Sequence, residues 1–166
     1  MKKAVWSATI AAAAVMLVST SAYAQTTQTG SINVTANVAA KAKLTLGAAS
    51  ITFADADPDV TPTMVASAVN VDVKARTTAA ANVTLTVLAS GDLVSGGDTI
   101  GIGSLTWTAT GSGYQAGTSN KTTAQTLGSW TGSGSPSGTH TYSLPNSWTY
   151  ATGTYTVTLN YTLTVP

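Results

Sequence analysis

The chain has 166 residues, of which seven are Lys or Arg and six are Asp, and its formal net charge is +1. Only 8 % of residues are charged, where roughly a quarter is usual in soluble domains. The near-zero charge argues against a nucleic-acid binder, which needs a cluster of Lys and Arg to neutralise phosphates. The residues that supply most catalytic acids, bases and metal ligands are scarce, so an enzyme is not expected. Cysteine is absent, and the hydrophobic fraction is a near-normal 43 %. A chain of this length and hydrophobicity is expected to fold as one domain rather than stay disordered.

The first segment reads as a signal peptide spanning residues 1–24. Met1-Lys2-Lys3 is basic, Ala4 to Val18 is mostly apolar, and Ala22-x-Ala24 offers the small residues that signal peptidase reads. The apolar run is too short and too rich in Ala for a membrane span. Export through the inner membrane is therefore expected, first to the periplasm and then to the cell surface or an extracellular fibre. Cleavage before Gln25 leaves five Lys or Arg against six Asp. Without disulfides, the exported domain must rely on packing and hydrogen bonds.

Residues 25–38 form an N-terminal extension, polar at first and then alternating. Ile32, Val34, Ala36 and Val38 share one side of an extended strand, with Asn and Thr between them. Residues 39–166 then show period-two alternation with no helical period. Leu44 and Leu46 alternate, as do Ile51 and Phe53. Val69 to Ala75, Val83 to Val87 and Leu105 to Ala109 follow the same rule. The last alternating run, Tyr155 to Val165, is the longest. Thr fills most intervening positions; it is β-branched, suits a pleated strand, and wets the outer face without charge. Gly-rich turns at Gly91-Asp92, Gly96-Gly97-Asp98 and Gly111-Ser-Gly113 separate the runs. An all-β, antiparallel sandwich of about seven or eight strands, immunoglobulin-like or pilin-like, is predicted. Residues 111–138 are the most loop-like stretch.

Three groups of residues are candidate sites. Asp55, Asp57 and Asp59 place carboxylates at alternate positions, a spacing that calcium accepts; Pro58 fits a plain turn equally well. Trp130, Trp148 and Tyr150 lie in irregular sequence, where open rings would stack on host or surface glycans. Trp107, Tyr155 and Tyr161 are in phase with aliphatic neighbours and read as core. His140, the one histidine, sits in a Thr-rich strand where an outward position is expected. No Gly-x-Ser-x-Gly elbow accompanies it: Gly134-Ser-Pro-Ser-Gly138 has Pro136 at the nucleophile position. No catalytic residue and no cofactor is assigned.

The opening Ser31-Ile-Asn-Val-Thr-Ala-Asn-Val38, the strand Leu105-Thr-Trp107 and the closing Gly153-Thr-Tyr155 resemble major subunits of the alpha, colonisation-factor class of chaperone–usher fimbriae. The same opening and close, with Leu44 to Phe53, are similar to spore coat protein U-like secreted domains, although those carry cysteines. The resemblance implies a fibre or coat subunit that assembles by donor-strand complementation, the extension of one copy completing the sheet of the next. It also implies a periplasmic chaperone and an outer-membrane usher as partners, besides self-association. The other readings are a first strand that pairs within its own sheet, and a secreted carbohydrate-binding module.

Overall fold

The computed structural model describes residues 26–166, so the expected signal peptide lies outside the described residues. The chain divides into two units, Met1–Ala36 and Asn37–Pro166. In the first, residues 26–36 form no helix or strand and every residue is exposed.

The second unit is all-β. Its strands are β1 (Lys41–Leu46), β2 (Thr63–Val65), β3 (Val69–Arg76), β4 (Asn82–Ala89), β5 (Leu93–Ser95), β6 (Asp98–Ile100), β7 (Thr106–Thr110), β8 (Gly117–Thr118), β9 (Gln125–Thr131), β10 (Ser137–Pro145) and β11 (Leu159–Thr164). Seven of them (β1, β3, β4, β7, β9, β10 and β11) have five residues or more, and the other four have two or three. A single 3-10 turn, Ile102–Ser104, is the only helical element among the described residues. No helix there is long and apolar enough to cross a membrane.

The strands form two main sheets. The larger has the order β1-β3-β10-β7-β8, with β2 also pairing with β10; the smaller has the order β11-β4-β9. The pair β5–β6 stands as a separate hairpin. Every strand pair is antiparallel. Alternation in sequence becomes alternation in burial because successive side chains of a strand point to opposite faces. Val69, Val71 and Val73 of β3, and Val83, Leu85, Val87 and Ala89 of β4, are buried. Trp107 of β7, Leu127 of β9, and Tyr142 and Leu144 of β10 join them. Full burial of a side chain such as Leu85 or Leu127 contributes roughly 1.5–3 kcal/mol, which makes this sandwich core the main source of stability.

One seam between the sheets is sewn shut. The segment Gly113–Thr118 hydrogen-bonds to both of them: β8 pairs with β7, while Gln115 N donates to Leu127 O at 2.9 Å and Ser129 N to Gly113 O at 3.0 Å. Two indoles cover the join. Trp107 donates from Nε1 to Gln115 O, and Trp130 from Nε1 to Ser112 O, each at 2.8 Å. Both rings need glycine beneath them. A Cβ on Gly117 would stand 2.5 Å from the Trp107 ring, and one on Gly128 would collide with Trp130. This seam lies in the stretch that sequence alone reads as loop. The alternation of β9 is hidden there because Gly128 sits between Leu127 and Trp130 and β4–β9 pairing shifts register between Leu85 and Thr86.

His140 corrects the expectation of an outward position. It is fully buried, in phase with Tyr142 and Leu144 on β10. Its Nε2 lies 3.3 Å from Leu127 O, and the Tyr114 ring stands edge-on to it at 5.5 Å. Nδ1 has no hydrogen-bond partner, so the neutral tautomer with its proton on Nε2 satisfies the one donor and leaves only an acceptor unpaired. Burial pushes the imidazole pKa below its ordinary value, the bond to Leu127 O opposing this in part. The unfolded chain therefore binds the extra proton below about pH 6.5, while the folded one refuses it until lower pH. Stability contributed by the neutral ring is complete above pH 6.5 and is lost as pH falls towards the folded pKa. Urea unfolding between about pH 6.5 and 5 is expected to lose up to about 1.4 kcal/mol per pH unit, and His140→Leu is expected to flatten that slope.

Candidate functional site: a groove between two edge strands

The opposite seam is open. β1 ends the larger sheet and β11 ends the smaller one on the same side of the sandwich. β1 pairs with β3 and β11 with β4, each along one edge only. Upstream of β11 the pattern continues: Thr156 exchanges backbone bonds with Val94 at 3.1 and 3.2 Å, and Ser90 N donates to Thr158 O at 2.8 Å. The chain from Tyr155 to Thr164 is thus paired along one side over ten residues, with the other side facing the gap.

A cleft of about 370 Å³ opens at one end of this side, between Leu46 with the chain that follows β1 and the residues Tyr155–Tyr161, whereas β1 and β11 themselves lie close together beyond it. Leu46, Ile51 and Phe53 line one wall and Tyr155, Val157 and Leu159 the other, above a floor that includes Leu93 and Leu105. The sequence makes both walls apolar by the same alternation that builds the core. Here, however, the apolar row of β11 (Leu159, Tyr161, Leu163) is only half-buried. Leu46 remains 37 % exposed. Apolar side chains beside an unfilled cleft lose dispersion contacts that a filled core would supply.

The deepest polar feature of the groove is a pair of tyrosines. The Tyr142 and Tyr161 hydroxyls meet at 2.5 Å. Burial raises the pKa of both, and for Tyr142 the neighbouring phenol adds to the rise. Both stay protonated at physiological pH, one donating to the other, and this satisfies two polar groups among apolar walls. Tyr114 is pushed up to about 12, first by burial and then by the charge of Asp72. Its hydroxyl donates to Val71 O at 2.6 Å, so it is a strut of the closed seam.

Ile32 and Val34 are 90 % and 88 % exposed, and Val38 65 %. Ala36 is exposed with them, and residues 30–38 take part in no strand. The nine residues would extend over about 30 Å, matching the ten residues of the open edge.

The other candidates are separated by the structure. Asp55, Asp57 and Asp59 lie in the loop between β1 and β2 but do not gather a metal-holding cluster, and none is found among the described residues. Asp57 Oδ1 instead accepts from Asp59 N at 2.9 Å, closing a turn, and Asp59 Oδ1 accepts from Trp148 Nε1 at 3.2 Å. Trp130 packs edge-on against Tyr114 at 4.9 Å, and Tyr150 packs against the core. Trp148 alone of the three is open, at 70 % exposure. Trp107 is buried, whereas Tyr155 and Tyr161 lie half-buried along the groove. The groove itself was not assigned from sequence, because alternation shows which residues face inward but not which edges stay unpaired.

Compared with known proteins, the chain matches no family model, and no curated protein is significantly similar to it.

Two outcomes test this partition. Tyr161→Phe is expected to cost about 1–3 kcal/mol in urea unfolding by stranding the Tyr142 hydroxyl. Trp130→Ala is expected to cost about 3 kcal/mol or more, while Trp148→Ala stays within about 0.5 kcal/mol of wild type.

Proposed function

We propose that this protein is a secreted, non-enzymatic structural subunit of a bacterial surface fibre or coat, and that it assembles by donor-strand complementation. The observation that carries the reading is the pairing of an unfilled apolar groove with an exposed, in-phase apolar segment in the same chain. The segment Gly30–Val38 of one copy enters the groove of the next and adds a strand along the free edge of Tyr155–Tyr161, beside Leu46 and the chain that follows β1. Main-chain bonds to the open edge give affinity, and Ile32, Val34, Ala36 and Val38 fill the cleft. Burial of Ile32, Val34 and Val38 contributes roughly 1.5–3 kcal/mol each. The contact is heterologous, so it propagates into a filament rather than closing a dimer.

An exposed groove and a free strand edge invite premature pairing. A periplasmic chaperone that occupies the groove, and an outer-membrane usher that exchanges it for the next copy, fit this need and follow from the sequence resemblance. Export by a cleaved signal peptide belongs to the same reading. A second reading, glycan binding, now rests on Trp148, the one open ring of its three candidates. Glycan-array binding abolished by Trp148→Ala, in a protein that forms no polymer, would favour it.

Deleting residues 25–38 is expected to leave a monomer unable to polymerise, as read by electron microscopy and light scattering. Val34→Asp, which places a charge at the centre of the donor row, is expected to act likewise; unchanged assembly by either variant would sink the proposal.

A further inference from the structure

The few charges of the second unit are sorted by position. Lys41 stands directly opposite Arg76, and Lys43 opposite Lys74, on the outer face of the β1–β3 pair. All four are exposed, and none forms an ion pair; among the described residues the one ion pair is Lys121–Asp92. Like charges placed directly across an antiparallel pair are destabilising. Asp72 is the one acid on that face, opposite Thr45, and it accepts from Ser137 Oγ. Three acids, Asp55, Asp57 and Asp59, sit at the other end of the same sheet. Asn146, just past β10, holds their loop there by donating to Ala56 O and Thr61 O at 2.9 and 3.1 Å. Asp72 pairs with Ser137 near one end of β10, and β10 runs to Pro145 at the other. Lys74 therefore lies about ten residues, or roughly 33 Å, from the acidic end.

The donor segment connects these ends. It joins the domain at the basic end, where Arg76 Nε donates to Ala39 O at 2.9 Å. The groove reaches Phe53 and Tyr155 at the acidic end, and Asp55 follows Phe53 by two residues. Every strand pair in the protein is antiparallel. β1 and β11 run in opposite directions, since β1 starts beside Arg76 and the chain after β11 ends beside Thr77; a donor that pairs antiparallel with β11, the longer of the two edges, has its Val38 at the Phe53–Tyr155 end. Only two residues, Ala39 and Ala40, then separate Val38 from Lys41, a reach of about 10 Å.

We infer that the two ends of the subunit are a charge-complementary docking surface for a second copy: Lys41, Lys43, Lys74 and Arg76 of one subunit face Asp55, Asp57 and Asp59 of the next. This inference rests on the donor-strand reading and adds to it a polar contact outside the groove. The contact relieves the like-charge repulsion on β1–β3, steers each incoming subunit into head-to-tail polarity, and makes elongation sensitive to salt.

The test uses the full mature chain and follows elongation by light scattering at about 20 mM and about 500 mM salt, where the screening length falls several-fold. One variant carries Lys43→Asp and Lys74→Asp, which keeps like charge opposite like charge. A second carries Asp55→Lys and Asp59→Lys, sparing Asp57, which closes the turn. Each is expected to slow low-salt elongation about tenfold and to differ little from wild type at high salt. A chain that combines Lys41→Asp, Lys43→Asp and Lys74→Asp with Asp55→Lys and Asp59→Lys reverses the net charge of both ends while keeping Arg76 on Ala39 O, and it is expected to recover most of the wild-type rate. Reversed pairs that elongate at the wild-type rate, or a wild-type rate indifferent to salt, overturn the inference and leave the donor-strand reading standing. Wild-type protein that never polymerises overturns both. Binding to anionic phosphatidylglycerol vesicles that disappears in the Lys43→Asp, Lys74→Asp variant, with elongation unaltered, assigns the cations to a membrane surface and also overturns the inference.

Discussion

A β-strand carries hydrogen-bonding groups along both of its edges, and the protein satisfies those of β11 and of the residues before it along one edge only. Thr156 and Thr158 turn their backbone towards Val94 and Ser90, and Leu159 to Thr164 turn theirs towards β4. β1 has the same one-sided pairing across the gap. The groove opens where the one-sided pairing of Tyr155–Tyr161 faces the chain that follows β1, leaving Ile51 and Phe53 apart from Tyr155 and Val157. An edge of this kind is a template for another chain, and the groove's walls determine which side-chain pattern fits it.

The rest of the domain is built to hold that gap open. The β4 row of Val83, Leu85, Val87 and Ala89 and the β3 row of Val69, Val71 and Val73 are fully buried, and they fix the spacing of the two sheets. Hydroxyl pairing of Tyr142 with Tyr161 ties the larger sheet to β11 at the groove floor. Asp92 contributes at the rim: its Oδ1 accepts from Ile102 N at 3.0 Å, and its other oxygen meets Lys121. That environment holds its carboxyl below the usual range, chiefly through the Lys121 bond. The pair is partly exposed and orders the loops around Leu93 more than it adds stability.

The sequence carries the class of the fold because Thr alternation states the period of a strand directly. Val69 to Ala75 and Val83 to Val87 were legible for that reason, and both became central rows of the core. Tyr155 to Val165 reads as one long strand, and the structure pairs it from Thr156 to Thr164, although its first residues bond to Val94 and Ser90 instead of to β4. Where glycine replaces a side chain the period disappears, which is why β9 and the stitched seam around Gly113–Thr118 could not be read. His140 misleads for a different reason. Its parity with Tyr142 and Leu144 places it inside, but a lone imidazole among Thr residues carries a polar label that outweighs parity. The row Ile32, Val34, Ala36 and Val38 was legible as a strand in phase, but its lack of a partner is a property of the whole fold.

The contrast between the two seams has a consequence for connectivity. Indole on glycine closes one side of the sandwich, with Trp107 over Gly117 and Trp130 over Gly128, and backbone bonds lock the join. Among the described residues one side of the sandwich is thus closed and the cleft lies on the other. On the proposed donor-strand reading, one acceptor and one donor segment give each subunit a functionality of two, in polymer terms, so that chains would grow one unit at a time without branch points.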